Sequence, residues 1–409
     1  MFLPAVNLVG ASVARYLSQF VLLLLILRTQ TPRAAGLFVL ALAIATPMFR
    51  LSELGLKSIY LTHKREYGIP AYLLLLTAST GIAFVTVSGV TMAFAWVPAG
   101  LMVLVALNKL AETHLMFWEG PLQARGRTPR ILRIYVVNAV ATVGAAGVGL
   151  VVFDSLLLAL MGSLLASVLC VVLMARTAHL SPHRGGSIVP AARDIVRAGF
   201  PMGVSVAMIT LVSTVPQYGL AVGVGPSAAA RFAIAIYSVV AIELFLHPVA
   251  QAWLTKAVKQ RSTGTGELAG LLMTTIRRWA IVLAISSIAI ATASFAVYPF
   301  LFGEPYALSV AEAVAIAVAI VLLPFEFIGI YGLSVVNRYA SNIYISAATV
   351  AVCMGTSAML IPRFEVVGAL WAFCSAIAAR GLLACLVLFT DLRRQEDPTG
   401  REGMNEPLA

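Results

Sequence analysis

Charge is the first scarcity in this sequence. Asp, Glu, Lys and Arg together make up 11% of 409 residues, against 60% apolar ones, where an ordinary soluble domain is roughly 25% charged. So little charge cannot cover a water-facing surface of this size; a soluble globular fold is excluded and a polytopic membrane protein is expected. Cysteine is scarce too. The four, Cys170, Cys353, Cys374 and Cys385, sit in apolar segments without a CxxC spacing or paired histidines, so no metal centre is expected and they read as small core residues. Long polar stretches are missing, which leaves no room for a soluble domain. Short alternating apolar segments are missing as well, which excludes a β-barrel.

What is present is a series of long apolar runs. A crossing needs about 20 apolar residues for a hydrocarbon core of roughly 30 Å, and a helix satisfies its own backbone there. The expected fold class is therefore all-α, with twelve transmembrane helices near 7–27, 34–62, 69–93, 96–120, 131–152, 155–175, 198–222, 228–256, 277–300, 306–335, 342–361 and 365–390. No basic stretch precedes the first run, which continues through Leu27, so that run is expected to stay as a helix rather than be cleaved as a leader.

Basic residues mark the cytoplasmic loops of membrane proteins. Lys64 and Arg65 follow the second span; Arg125, Arg127, Arg130 and Arg133 the fourth; Arg176, Arg184, Arg193 and Arg197 the sixth. Lys256, Lys259, Arg261, Arg277 and Arg278 follow the eighth, Arg338 the tenth, and Arg393, Arg394 and Arg401 the last. The opposite loops hold only Arg28, Arg33 and Arg363. Both termini are expected in the cytoplasm, and this asymmetry accounts for most of the net charge of +11 without nucleic-acid binding.

The two halves resemble each other. PRAAGLFVLALAI at the second span returns as PSAAARFAIAIYS at the eighth, and GPLQARGRTPRILRIYVVNAV is matched in kind by GLSVVNRYASNIYISAATVAV. Parallel repeats of this kind build transporters that carry substrate between two lobes and rock them. The expected domains are an N-terminal six-helix lobe over 1–190, a C-terminal one over 191–390, and a disordered cytoplasmic tail over 391–409.

Ionised groups inside the spans need a reason, because each costs roughly 2.5 kcal/mol or more near the bilayer centre. Ser12, Arg15, Tyr16 and Gln19 share one face of the first helix at three- and four-residue spacing. Arg50, Glu53 and Lys57 repeat that spacing after Pro47; Asn108, Lys109, Glu112 and Glu119 lie on the fourth span; Glu243, His247 and Gln251 lie on the eighth. Glu312 and Glu326 are on the tenth, and Arg380 is on the twelfth. Plainer readings exist. Lys57, Lys109 and Glu119 are close enough to span ends to snorkel, Arg50 with Glu53 fits a structural pair linking helices, His247 fits a hydrogen-bonded core histidine, and Glu326 fits a cap beside Pro324. Arg15 resists them, having no acidic neighbour on its own helix. Arg15 and Arg380 are the leading candidates to face a hydrated cavity used by an anionic ligand.

The chain resembles the polysaccharide biosynthesis and export family, the O-antigen-type (Wzx-like) flippases of the superfamily that includes the multidrug and toxic-compound extruders (MATE) and the lipid II flippase. The resemblance rests on GLFVLALAIATPMFRLSELGLKSIY, LNKLAETHLMFWEGPLQARGR, AGFPMGVSVAMITLVSTVPQYGLAVGVG and LIPRFEVVGALWAFCSAIAA, in that order along nearly the whole chain. It implies two six-helix lobes in a V around a central cavity. It also implies a flippase that moves undecaprenyl-pyrophosphate-linked oligosaccharide units from the cytoplasmic to the periplasmic leaflet of a bacterial inner membrane, with membrane lipids and a polysaccharide polymerase complex as partners. Arg15, Arg380, Arg50, Lys57 and Gln19 are then the substrate-binding candidates, and Glu53, Glu112, Glu243, His247 and Glu326 the coupling or gating candidates. No metal or organic cofactor is expected; a proton or sodium ion is the candidate coupling partner. The second half is poorer in basic residues than a two-lobed phosphate clamp requires.

Two other classes compete. Cation-coupled extrusion of small amphipathic molecules calls for acidic cavity residues, which Glu243, Glu312 and Glu326 supply. A membrane polymerase or ligase calls for a sizeable catalytic loop, and the outward loops are short, without paired carboxylates or a Ser/His/Asp set.

Overall fold

The computed structural model describes residues 2–62, 67–178, 188–261, 265–335 and 339–396. Lys64, Arg65, Arg184, Arg338 and Arg401 lie outside the described residues, as do the side chains of His247, Gln251, Lys256, Lys259, Arg261, Arg393 and Arg394. The described chain is helical from end to end: α1 (Phe2–Thr29), α2 (Pro32–Ser52), α3 (Leu56–Thr62), α4 (Ile69–Phe94), α5 (Ala99–Ala124), α6 (Thr128–Gly147), α7 (Leu156–Thr177), α8 (Ile188–Gly223), α9 (Pro226–Arg261), α10 (Thr265–Phe302), α11 (Val310–Val335) and α12 (Tyr339–Glu396). A π-helical turn, Val148–Val152, prolongs α6, and a 3₁₀ turn, Glu304–Tyr306, precedes α11.

The helices begin where local chemistry says they should. Thr31 accepts from the Ala34 amide with Pro32 in the first turn, and Ser155 accepts from the Leu158 amide, so side-chain oxygens serve amides that no helical carbonyl reaches. Large apolar side chains such as Ile82, Val140, Leu165 and Ile285 are about two-thirds exposed, the surface that hydrocarbon rather than water covers.

Among the described residues, eleven helical segments are long and apolar enough to cross a membrane, and the last, Ser341–Asp391, has 51 residues. At 1.5 Å per residue it is more than twice the length of one crossing. It is two helices. Glu365 breaks it with φ 48° and ψ −122°, and a Cβ on Gly368 would lie 2.3 Å from the Leu360 carbonyl oxygen, an approach between residues eight apart that no straight helix allows. The expected spans 342–361 and 365–390 flank this kink, and the molecule is a multi-pass, all-α membrane protein. α12 continues to Glu396, past the expected start of a disordered tail at 391.

The second span departs from expectation. Read as one helix over 34–62, it is interrupted after Ser52 and resumes at Leu56, with Leu54 and Gly55 both at positive φ. The break falls among charged residues rather than at Pro47, which α2 absorbs. The Ser52 carbonyl, freed by the interruption, accepts a 2.7 Å hydrogen bond from Ser79 Oγ on α4. Gly199 and Gly203 on α8, a small-xxx-small pair, bring that helix backbone against the break.

By packing, the chain separates into two compact units: residues 1–233 with Pro299–Ala307, and residues 234–298 with 308–409. In the first, α1 lies on α6, α7 on α5 and α6, and α8 on α2, α3 and α4. Its core cluster joins Leu56, Ile59, Tyr72, Leu76, Leu115, Phe117, Trp118, Ile131 and Tyr135. In the second, α11 packs along α12 around Ile328, Leu333, Ala384 and Leu388. The six-plus-six division at 190 is a different kind of statement, about helix number per repeat, and stays an expectation.

Candidate functional site

The first unit gathers its charged side chains from α1, α2, α3 and α5. Gln19 on α1 donates from Nε2 to Glu112 Oε1 at 2.8 Å, and Lys109 donates to the other oxygen of the same carboxylate at 2.8 Å. Arg50 Nη1 reaches both oxygens of Glu53, at 2.9 and 3.2 Å, and lies 3.7 Å from Met116 Sδ. Beyond the break, Lys57 pairs with Glu119, whose second oxygen accepts from the Tyr135 hydroxyl on α6. The interruption of the second span therefore separates two ion pairs: Arg50 and Glu53 stay on one side, and Lys57 is redirected to α5.

These pairings revise several expectations. Arg50 and Glu53 pair along one stretch of chain, three residues apart, and so do not link two helices. Lys109 and Glu119 do not snorkel; Glu119 is 8% exposed and held by two donors. Tyr135, which the charge pattern could not single out, completes that network. Thr46, Phe49 and Thr113, uncharged and so silent in the charge pattern, line a small open cleft with Arg50, Glu53, Lys109 and Glu112.

Arg15 stands apart. Among the described residues it makes no ion pair and no side-chain hydrogen bond; its guanidinium carbon lies 4.8 Å from the centre of the Tyr16 ring, and its buried Nε has no partner. It is within electrostatic range of Arg50, Glu112, Glu119 and Tyr135. The four cations Arg15, Arg50, Lys57 and Lys109 thus face three carboxylates, Glu53, Glu112 and Glu119, each already paired with a cation of its own. One positive charge is left over, and it belongs to Arg15. An ionised guanidinium offers planar donors suited to carboxylate or phosphate, and here a ligand would displace no protein partner. Arg50 also engages its carboxylate through Nη1 alone.

The second unit places its charges differently. Arg380 on α12 pairs with Glu326 on α11, both nearly buried, and Arg380 Nε has no partner. Glu326 is thus an interhelical partner and not a cap beside Pro324. Glu243 on α9 is within electrostatic range of both; the side chain of His247, one turn on, lies outside the described residues. Glu312, read as part of an interior stripe, sits at the start of α11. It accepts from the Ser309 amide at 2.6 Å and from Ser309 Oγ at 2.8 Å, while its own amide donates to that hydroxyl, a reciprocal cap.

No protein-family model matches the chain, and no curated protein matches it in sequence. Solved structures do match in architecture. An inward-facing multidrug resistance MATE family transporter of the MOP superfamily superposes with a TM-score of 0.71 at 13% identity, over 96% of this chain and 99% of the other. An outward-facing transporter of that family gives 0.65 at 12% identity, over 96% and 95%. A MOP superfamily transporter from Pyrococcus furiosus, for which reverse polarity of the binding pocket suggests a different function, gives 0.62 at 12% identity, also over 96% and 95%. The chain has the fold that these transporters share.

Proposed function

We propose that this protein is a membrane transporter for an anionic amphiphile, specifically a flippase for oligosaccharide units linked through pyrophosphate to a polyprenyl lipid. The observation that carries the reading is the surplus cation: half-buried Arg15 has a buried Nε without a partner and no carboxylate of its own. Holding an unpaired guanidinium there is costly, and an anionic head group offsets that cost while its lipid tail stays in the bilayer. Arg50, with one terminal nitrogen uncommitted, and Gln19 extend the same surface. That this fold accommodates a pocket of reversed polarity is suggested for the Pyrococcus furiosus protein. Likeness to both inward- and outward-facing transporters supports an alternating-access cycle. The basic loops support a bacterial inner-membrane location with both termini cytoplasmic.

A second reading has one observation in its favour. In the second unit two carboxylates, Glu243 and Glu326, share a single guanidinium, Arg380, which suits a cation, either as coupling proton or sodium ion or as a cationic drug-like substrate.

The deciding experiment deletes the gene and follows lipid-linked repeat units. Stranding in the inner leaflet, relieved by the wild-type gene and not by Arg15→Ala at equal protein level, supports the flippase. Normal leaflet distribution in the deletion, with loss of cationic-dye efflux, supports the extruder instead.

A further inference from the structure

Two arginines lie outside the charged cluster of α1, α2, α3 and α5 and against the charge pattern of the loops. Arg28 ends α1, and Arg231 lies in the second turn of α9, both at the span ends whose loops are poor in basic residues. Cations are disfavoured on that face, so each needs a local reason. The structure supplies the same one for both: each donates to a main-chain carbonyl of a single nine-residue segment, Pro299–Ala307. Arg28 Nε serves the Leu301 carbonyl, and Arg231 Nη2 reaches the Ala307 carbonyl at 2.8 Å.

The segment is unusual in its own right. By packing it belongs to the first unit, while the chain before it, 234–298, and after it, 308–409, forms the second. α10 ends in it, and the Leu301 carbonyl is among the last four of that helix, which have no intrahelical donor. Arg28 satisfies it and brings positive charge to the negative end of the helix. Gly303, at φ 96°, then turns the chain into the 3₁₀ turn, a conformation open to glycine and strained in most other residues. Between the two arginine contacts, Phe302 is 3% exposed, with its ring edge-on to Phe20 of α1 at 5.9 Å. On the same rim Gln30 donates to Asp154 at 3.0 Å, and the missing side chain of Gly36 lets the start of α2 meet the carbonyl of Pro226 at the start of α9.

We propose that Pro299–Ala307 is a releasable clasp. Arg28, Phe20 and Arg231 hold it on the first unit in the state seen here, and it detaches during the transport cycle. The segment is covalently continuous with α10 and α11, so any displacement of those helices pulls on it. Its grip suits release: the guanidinium of exposed Arg28 exchanges its main-chain acceptor readily for water, while the part-buried Arg231 contact holds more firmly. The proposal rests on the transporter reading but not on the identity of the cargo.

The test uses the full-length protein in detergent and needs no substrate. In Tyr306→Cys, at a position 3% exposed in the same segment that leaves the Phe20–Phe302 contact in place, the thiol is expected to react slowly with a maleimide. Adding Arg231→Ala is expected to raise that rate roughly tenfold, the effect of losing one charge-assisted hydrogen bond, and Arg28→Ala by less. Cys170, 1% exposed in the core of the same unit, reports unfolding, and its unchanged reactivity keeps the comparison valid. As a second readout, spin labels at Arg33→Cys and Glu304→Cys should show a single distance in the parent and an added longer population when Arg28 and Arg231 are both Ala. Unchanged labelling and one unshifted distance would make the segment a fixed part of the first unit and overturn the clasp. Loss of glycan export enters neither readout, so failure of the substrate reading leaves this result intact.

Discussion

Gly199 of α8 and Leu54 in the interrupted second span touch where a side chain has no room: a Cβ on Gly199 would fall 2.2 Å from the Leu54 carbonyl oxygen. That oxygen is backbone and cannot swing aside. Gly199→Ala must push α8 off the break or close the break, at a cost of roughly 1–3 kcal/mol for an overpacked contact. Gly203→Ala meets the Leu51 carbonyl at 2.9 Å and should cost less. Gly144→Ala meets nothing within 4 Å and should be neutral or slightly stabilising, as alanine replaces glycine in a helix. Thermal unfolding followed with a thiol-reactive dye, which Cys170, Cys353 and Cys374 exclude until the fold opens, should rank the three in that order. Equal melting for Gly199→Ala and Gly144→Ala would count against the close contact.

The Lys57–Glu119–Tyr135 network predicts a rescue. Glu119→Leu removes the acceptor of a tyrosine hydroxyl that is 1% exposed, and a buried donor left unmade costs about 1–3 kcal/mol. Lys57 is about a third exposed and re-solvates, so its share is small. Tyr135→Phe in the Glu119→Leu background removes the stranded donor, and the double variant should melt above Glu119→Leu alone. Strict additivity of the two substitutions would mean that the hydroxyl and the carboxylate do not interact.

Arg15 should separate folding from transport. It has no acidic partner to orphan, and its unpaired charge is costly where it sits, so Arg15→Ala is expected to melt at or above the parent. Lys109→Ala is the contrast, since it takes a cation from Glu112. If Arg15 captures phosphate through planar, paired donors, Arg15→Lys keeps the charge, loses the geometry, and should lower flipping of a fluorescent polyprenyl-pyrophosphate glycan in proteoliposomes about tenfold or more. Full flux in Arg15→Lys would remove bidentate capture from the mechanism.

How far the sequence reaches can be read from these residues. The spans are legible because lipid imposes length and apolarity on every crossing, and the turn at Glu365 falls in the IPRFEVVGA stretch where the last expected span begins. Arg50 with Glu53 and Lys109 with Glu112 are three apart, and helical geometry makes neighbours of such residues. Lys57 and Glu119 are 62 apart and Glu326 and Arg380 are 54 apart; spacing carries no information about partners on different helices. The break at Leu54 and Gly55 was hidden because a single glycine in a helical run is common, and what holds this one open, Gly199 and Ser79, comes from other helices. Glu312 carries a local signal that the charge stripe overshadows: Ser309 three residues earlier is the sequence signature of a reciprocal cap.

The Arg380–Glu326 pair decides whether Arg380 serves the fold or the cargo. Both side chains are about a tenth exposed and join α11 to α12, so Arg380→Met leaves a carboxylate buried beside Glu243. Removing one member of such a pair costs roughly 3–5 kcal/mol, whereas replacing both with apolar residues of similar size is often neutral. Arg380→Met should therefore fold poorly, and adding Glu326→Leu should return melting to near the parent value. Transport in that double variant is the informative quantity. Flux restored along with stability would make the pair a structural tie, leaving anion recognition to the first unit, where Arg15 already has a free guanidinium. Restored stability without flux would put one of these two charges in the working path. Metabolite-independent dye efflux and glycan flipping, measured on the same preparation, would then tell a lost cation site at Glu326 from a lost anion site at Arg380.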